Sequence, residues 1–233
     1  ASEQSIVITA DVFDDAVRAL QAQGGYVCSD DERAKLEAVA IDPERSGMSM
    51  EVIGQSAMKI AGLAGIDVPD GTQLLLVEPG GVGPDFPLSR EKLSPILALY
   101  RARNTRDGIN RCVDLLHFGG IGHTAGIFSN DDDVIAEYAS AVNAGRILVN
   151  QPTSQGAVGQ LFNTIPASLT LGCGTGGRNI TTDNITASHL INRKEWQDVV
   201  VRKGSLTLQH EVEHQRVIKV FVDYGAALWN KLG

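Results

Sequence analysis

Two side chains that can transfer protons or accept hydrogen bonds stand in short segments with distinctive neighbours. His123 lies in GGIGHT (119–124), where an imidazole could exchange a proton near neutral pH. It could equally be a histidine at the start of a strand that caps a backbone carbonyl, and both interpretations stay open. Glu91 lies in SREKLSP (89–95) between two basic residues. Its neighbours by themselves favour a solvated carboxylate.

The glycine-rich run GCGTGG (172–177) could approach an anion closely through its backbone N–H groups. It precedes no predicted helix and lacks a Walker lysine, so it matches neither the dinucleotide-binding pattern nor the P-loop pattern. A plain turn and a loop that faces a ligand remain as interpretations. Cys173 within this run could act as a nucleophile if a base activated it, but a lone cysteine is more often inert.

One motif matches a metal site by its letters. His210, Glu211 and His214 satisfy H-E-x-x-H, which on a helix would hold zinc. The motif directly follows the extended-looking run SLTLQ (205–209), and no third ligand stands at an established spacing. We therefore interpret it as the solvated start of a helix and expect no metal.

Strands and helices must alternate to position these residues. The apolar pattern predicts strands at 5–10, 73–78, 96–102, 123–128 and 146–150, separated by helices near 12–20, 31–41, 56–65, 106–118 and 131–142. Nearly continuous apolar strands that alternate with helices are typical of a sheet covered on both faces. The sequence thus predicts an α/β fold around a mostly parallel sheet.

The pattern changes after residue 150. Glycines become frequent, and we predict mostly loop, interrupted by a short strand-like run at 168–171. From about residue 185 we expect extended segments, namely NITASHLIN (184–192), DVVVRKG (198–204) and SLTLQH (205–210), and then a final helix near 213–232.

Composition excludes several classes of function. Twenty basic residues against 28 acidic ones give a net charge of -8, so the basic surface of a nucleic-acid-binding protein is missing. No apolar run approaches the ~18 residues of a membrane span, and residues 1–10 hold no basic leader. Three cysteines without metal spacing suit a reducing compartment. We expect a cytoplasmic protein with no nucleic-acid or membrane partner.

In order and spacing, the segments of this chain resemble the CoA-acylating aldehyde dehydrogenases, in particular the acetaldehyde dehydrogenase half of bifunctional aldehyde-alcohol dehydrogenases. The matching segments are ASEQSIVI (1–8), GGYV (24–27), VIGQSAMKIAGLAGIDVP (52–69), EKLSPILALYRA (91–102), GGIGHT (119–124), RILVNQPTSQGAVGQLFN (146–163), SLTLGCGTGGRN (168–179) and HLINRK (189–194). They cover about residues 1–194. The resemblance implies an aldehyde dehydrogenase catalytic domain at 1–184, followed at 185–233 by an extended oligomerisation segment and an unmatched tail.

The resemblance also implies a chemistry. In this family a cysteine thiolate attacks a short-chain aldehyde, hydride passes to NAD, and the resulting thioester is released to coenzyme A. The cysteine would stand directly before Ala1, downstream of a dinucleotide-binding domain, and no cysteine of this chain matches it. We expect a homo-oligomer, and we expect this chain alone to be inactive. The alternative is a non-catalytic assembly or scaffold subunit that retains the fold.

Six residues acquire roles through the resemblance. Glu91 is similar to the glutamate that binds the nicotinamide ribose, and His123 to a histidine that moves a proton for the CoA thiol. The aldehyde would face a loop formed by Thr170, Gly172, Cys173 and Gly174. Other members often carry an aromatic residue where this chain has Thr175-Gly176, which leaves the identity of the aldehyde open. NITASHLIN and VVVRKG are the expected oligomerisation strands.

Overall fold

The structure is a computed structural model that describes residues 3–42, 47–161, 163–169 and 174–191. Contacts within the chain divide it into two units, Ala1–Leu190 and Ile191–Gly233, and all but one of the described residues belong to the first. Its elements follow in the order β1 (Ser5–Thr9), α1 (Phe13–Ala22), β2 (Gly25–Val27), α2 (Asp30–Ala40), β3 (Ile41–Asp42), β4 (Gly47–Met48), α3 (Ala57–Leu63), β5 (Leu74–Val77), β6 (Ile96–Ala102), α4 (Thr105–Gly119), β7 (Thr124–Ile127), α5 (Asp132–Ala141), β8 (Arg146–Val149) and α6 (Thr153–Gly156).

Four of these strands form a parallel sheet in the order β1-β6-β5-β2. Ser5 pairs with Ala98 in the register of β1 and β6, so the two strands begin at the same edge of the sheet. β7 and β8 form a separate parallel pair, and β3 and β4 form a short antiparallel one. The predicted α/β fold with a mostly parallel sheet is confirmed.

Alternate side chains of the central strands fill two separate cores. One face of β5 and β6 packs against α2 and α3, and it contributes Leu75, Val77, Ile96, Ala98 and Tyr100. The opposite face packs against α1 and contributes Leu76, Leu97 and Leu99. Because successive side chains of a strand point to opposite faces, a continuous apolar run is what a sheet covered on both sides requires.

Polar side chains cap the N-termini of several helices. Ser29 and Glu32 form a capping box at α2, in which the Ser29 Oγ accepts from the Glu32 N–H and the Glu32 carboxylate accepts from the Ser29 N–H. At α5 the Asp131 side chain accepts from the N–H groups of Asp133 and Val134. The acidic run at 131–133 therefore stabilises the start of this helix through a direct cap as well as through the helix dipole.

Some sequence predictions differ from the structure. The short elements β3, β4 and α6 were not predicted. Strand β2 was not predicted either, because a glycine pair such as Gly24-Gly25 is typical of the end of a helix. Gly25 instead begins an edge strand directly beneath that helix, where a Cβ would lie 2.9 Å from the Leu20 carbonyl oxygen. NITASHLIN was predicted to be extended, but Ala187–Leu190 forms a 3₁₀ turn. Its first bond runs from the His189 N–H to the Thr186 carbonyl.

Other predictions fall partly or wholly outside the described residues. Ser168 and Leu169 belong to no strand, and the rest of the strand-like run at 168–171 is not described. The same holds for the extended segments and the helix predicted beyond residue 191, and for the H-E-x-x-H motif. Within the described ranges, no helix is long and apolar enough to cross a membrane.

Candidate functional site

Glu91 lies at the amino edge of the central sheet, in the loop that leads into β6. Its side chain is exposed to solvent. The loop packs against the end of α4: a Cβ built on Gly119 would lie 3.9 Å from the Glu91 nitrogen, and the Arg90 guanidinium lies 4.9 Å from the centre of the Phe118 ring. The structure therefore presents the Glu91 carboxylate outward from an anchored backbone.

His123 follows the same end of α4 by four residues. The chain leaves the helix through Gly120 and Gly122, whose φ angles of 121° and 91° favour glycine, and then enters β7. The His123 carbonyl accepts hydrogen bonds from the N–H groups of Gly145 and Arg146. This backbone pairing holds the histidine where the neighbouring strands β7 and β8 begin.

The imidazole of His123 is half-buried, and its Nδ1 lies 2.9 Å from the Thr124 hydroxyl. Among the described residues, the ring makes no hydrogen bond to a backbone carbonyl, which was one of the two sequence interpretations. Burial lowers the pKa of His123, the positive charge of Arg146 lowers it further, and the negative charge of Glu91 opposes the shift. The imidazole is therefore mainly neutral at pH 7 and can accept a proton.

Glu91 and His123 both adjoin the same end of α4. They are 32 positions apart in the sequence. The end of α4 joins them, because it packs on the Glu91 loop and continues into the His123 loop. The structure thus brings together the two residues singled out for cofactor binding and proton transfer.

The glycine-rich loop is described only from Gly174 onward, so Thr170, Gly172 and Cys173 lie outside the described residues. Gly174 is buried with a φ of 63°, and its N–H donates to the Thr181 carbonyl. A Cβ there would lie 2.8 Å from the Thr182 Cγ2. Gly174 therefore takes part in a turn, and the loop remains open to both interpretations.

The turn also lies beside the His123 loop. A Cβ on Gly176 would come within 3.0 Å of the Ile121 side chain, so this glycine permits a close approach of the two segments. Further along, the buried Arg146 donates from Nε to the Asn184 Oδ1 over 2.7 Å, and the Asn184 amide donates to the Pro166 carbonyl. These bonds attach Pro166 and Asn184 to the start of β8.

Sequence reasoning missed two residues of this region, Gln4 and Lys92. The Gln4 Oε1 accepts from the N–H groups of Lys92 and Leu93, over 2.7 and 3.2 Å. The Lys92 side chain is fully buried. Lysine is almost never fully buried without a partner, so its position before an apolar strand carried no signal that it would point inward.

The Lys92 amine lies in a pocket of backbone oxygens. Its Nζ donates to the Leu88 carbonyl over 3.0 Å and to the Arg90 carbonyl over 2.9 Å. Burial lowers the pKa of Lys92 to about 7, against the opposing attraction of Glu91. Near neutral pH this side chain is thus poised between its charged and neutral forms.

The two described cysteines are unsuited to nucleophilic attack. Burial, together with the negative charge of Glu32, raises the pKa of Cys28 to about 12, and burial raises that of Cys112 to about 11. Both thiols are protonated at neutral pH, and the thiolate is the reactive form. Among the residues that the structure describes, no cluster of His, Cys, Asp and Glu is arranged to hold a metal ion.

The fold is that of the aldehyde dehydrogenase class. The fold matches the crystal structure of an acetylating aldehyde dehydrogenase from Geobacillus thermoglucosidasius with a TM-score of 0.81 and 36% identity, over 88% of this chain and 45% of that one. No family model matches the chain.

Curated relatives are similar to this chain in sequence. The chain is 39% identical over 205 residues to aldehyde-alcohol dehydrogenase 2 of Entamoeba histolytica, and 37% identical over 229 residues to the aldehyde-alcohol dehydrogenase of Clostridium acetobutylicum. These matches cover 85% and 97% of this chain but only 24% and 25% of the relatives. The chain belongs to the acylating aldehyde dehydrogenase family, whose members are oxidoreductases, and it spans about a quarter of the length of these two relatives.

Proposed function

We propose that this chain forms part of the active site of an NAD-dependent, CoA-acylating aldehyde dehydrogenase, which oxidises a short-chain aldehyde reversibly to an acyl-CoA. The observation that carries this proposal is the packing of the loop that bears the exposed Glu91 carboxylate against the end of α4, four residues before the half-buried His123 imidazole. The names of the relatives support the aldehyde and the acyl group as substrate and product classes.

Glu91 fits a role in binding the nicotinamide ribose. An ionised carboxylate has two oxygens and accepts hydrogen bonds only, which suits two neighbouring ribose hydroxyls. NAD, when bound, would supply the hydride acceptor. The contribution of Glu91 is orientation, and its effect depends on how firmly the backbone beneath the carboxylate is held, since hydride transfer is sensitive to small displacements.

His123 would act on the CoA thiol in the second half of the reaction. In the tautomer whose Nδ1 donates to the Thr124 hydroxyl, Nε2 is the basic nitrogen, and it would accept the proton of the thiol. The thiolate then attacks the thioester carbon, and the cysteine sulfur leaves as the acyl group passes to CoA. The lowered pKa of His123 supports this step, because a neutral imidazole is the form that accepts a proton.

The cysteine that carries the thioester lies outside residues 1–233 in this proposal. The protonated thiols of Cys28 and Cys112 support that assignment. Thr170, Gly172, Cys173 and Gly174 would line the aldehyde site. The close approach of Gly176 to Ile121 supports this placement, because it brings the glycine loop beside the loop that ends in His123.

The remaining assignments concern the whole protein. We place it in the cytoplasm as a homo-oligomer, with residues 1–184 as the catalytic domain and 185–233 as the oligomerisation segment and tail. Its partners would be the aldehyde and CoA, and its net charge of -8 supports the exclusion of nucleic acid.

The test is aldehyde-dependent formation of NADH by the complete protein that contains this chain, with CoA present and absent and with NADP as an alternative acceptor. We expect NADH to accumulate beyond one equivalent only with CoA, and acyl-CoA to form in equal amount. A folded protein that forms neither product would support the scaffold alternative.

A further inference from the structure

The exposed carboxylate of Glu91 rests on a backbone that is fixed on both sides. The peptide group before Glu91 is held through the Arg90 carbonyl, which accepts from the Lys92 Nζ over 2.9 Å. The peptide group after it is held through the Lys92 N–H, which donates to the Gln4 Oε1 over 2.7 Å. With both peptide groups bonded, the direction of the Glu91 Cα–Cβ bond is set.

Gln4 connects this loop to the central sheet. It directly precedes β1, and its own carbonyl accepts from the Ala98 N–H, which ties it to β6. Its side-chain oxygen also accepts from the Leu93 N–H, where the backbone has a φ of 50°. A non-glycine residue in this region is uncommon, so the turn needs such partners to persist.

Lys92 holds the loop from inside. Its Nζ bonds the carbonyls of Leu88 and Arg90, so the side chain closes the segment 88–92 around itself. These two acceptors match the two N–H donors of a neutral amine, whereas an ammonium has three. An interior amine with two carbonyl partners therefore stabilises the loop without a paired carboxylate.

Two further contacts hold the ends of the loop in place. The Gly54 N–H donates to the Leu93 carbonyl over 2.9 Å, and Arg90 stacks on Phe118 of α4. Neither contact involves the peptide groups that flank Glu91. The direction of the carboxylate thus depends on Gln4 and Lys92 in particular.

We propose that Gln4 and Lys92 are positioning residues, which hold the Glu91 carboxylate at a fixed place relative to β1 and so orient the nicotinamide for hydride transfer. This inference rests on the proposed role of Glu91. It predicts that the two residues affect the hydride half-reaction through Glu91 and leave aldehyde binding unchanged.

The test uses the complete enzyme and two substitutions at one position. Gln4→Leu removes the side-chain acceptor at similar volume, and Gln4→Glu keeps an acceptor in place. We expect Gln4→Leu to slow the single-turnover NADH burst ~10-fold, with the KM for aldehyde changed less than about 2-fold, since a small misplacement of a reacting group has an effect of this order. Gln4→Glu should restore most of the rate. A burst as slow in Gln4→Glu as in Gln4→Leu would overturn the proposal.

A double-mutant cycle with Glu91→Gln separates positioning from a general effect on the fold. If Gln4 acts through Glu91, then Gln4→Leu should have less than about 2-fold effect on the burst in a Glu91→Gln background. A full ~10-fold effect in that background would refute the positioning role and leave the role of Glu91 intact. If Glu91→Gln alone leaves the burst unchanged, the proposed function of Glu91 fails, and the positioning role fails with it.

Lys92→Met provides a second route, because it keeps the stem of the side chain and removes both donors. The same cycle with Glu91→Gln applies, and Lys59→Met, at an exposed position on α3, is the matched control. We expect Lys92→Met to slow the burst as Gln4→Leu does, and Lys59→Met to leave it unchanged. If Lys92→Met fails to fold, as judged by circular dichroism, the Gln4 pair decides the question.

Discussion

The buried amine of Lys92 should make the stability of this chain rise with pH in a range where most proteins show little change. The side chain is 0% exposed, and burial lowers its pKa from 10.5 to about 7. Between these two values the unfolded chain binds a proton that the folded chain does not. The free energy of unfolding therefore rises with pH across this window, and it is flat below pH 7, where both states are protonated.

The magnitude follows from the two pKa values. Each pH unit inside the window contributes about 1.4 kcal/mol, so the contribution grows by roughly 2.5 kcal/mol between pH 6 and pH 9. Lys92→Met removes the titrating group and keeps the buried stem. We therefore expect the stability of the wild type relative to Lys92→Met to increase by about this amount from pH 6 to pH 9.

Urea unfolding of the 233-residue chain, followed by circular dichroism at half-unit pH steps, measures this difference. The other titrating groups are the same in both proteins, so their contributions to the free energy of unfolding cancel in the difference. Lys59→Met is the control, because the exposed Lys59 side chain stays hydrated in the folded state and is not desolvated as Lys92 is. A stability difference between wild type and Lys92→Met that stays flat from pH 6 to pH 9, or that falls, would refute the reasoning.

Four further predictions follow from the site and its supports. In the complete enzyme, Glu91→Gln should weaken hydride transfer more than acyl transfer to CoA, and equal loss in both half-reactions would contradict the ribose-binding role. His123→Ala should leave the NADH burst largely intact and slow steady-state turnover by ~10²-fold or more, whereas a collapsed burst with an unchanged circular dichroism spectrum would assign the histidine to the first half-reaction. Residues 1–233 alone should form no acyl-CoA, because no cysteine matches the family nucleophile and both described thiols are protonated, so measurable turnover would overturn this assignment. Asp131→Ala should lower the free energy of unfolding by about 1 kcal/mol through loss of the α5 cap, and an unchanged urea midpoint would count against the cap.

Local patterns predicted most of the fold. Continuous apolar runs such as 96–102 indicated strands covered on both faces, and the acidic run at 131–133 indicated a helix start. Each of these signals depends on residues adjacent in sequence. Where a signal had two meanings, prediction failed: the glycine pair at 24–25 can end a helix or allow a strand to pass beneath it, and only the packing against Leu20 distinguishes them.

For the site, the sequence by itself determined which residues are candidates for the chemistry. Resemblance to a family, which is a property of the sequence, nominated Glu91 and His123 and left no cysteine of this chain at the position of the nucleophile. The tertiary structure decided how these residues are arranged. It placed the end of α4 against the Glu91 loop, and it buried Lys92 so that its amine binds two backbone carbonyls.

Gln4 shows why the arrangement of the site cannot be read from the sequence alone. It stands 88 positions from Lys92, and its side chain contacts that residue only because β1 and β6 pair in parallel and start at the same edge. A hydrogen bond over such a separation depends on strand order and register, which arise when the whole sheet buries its apolar faces together.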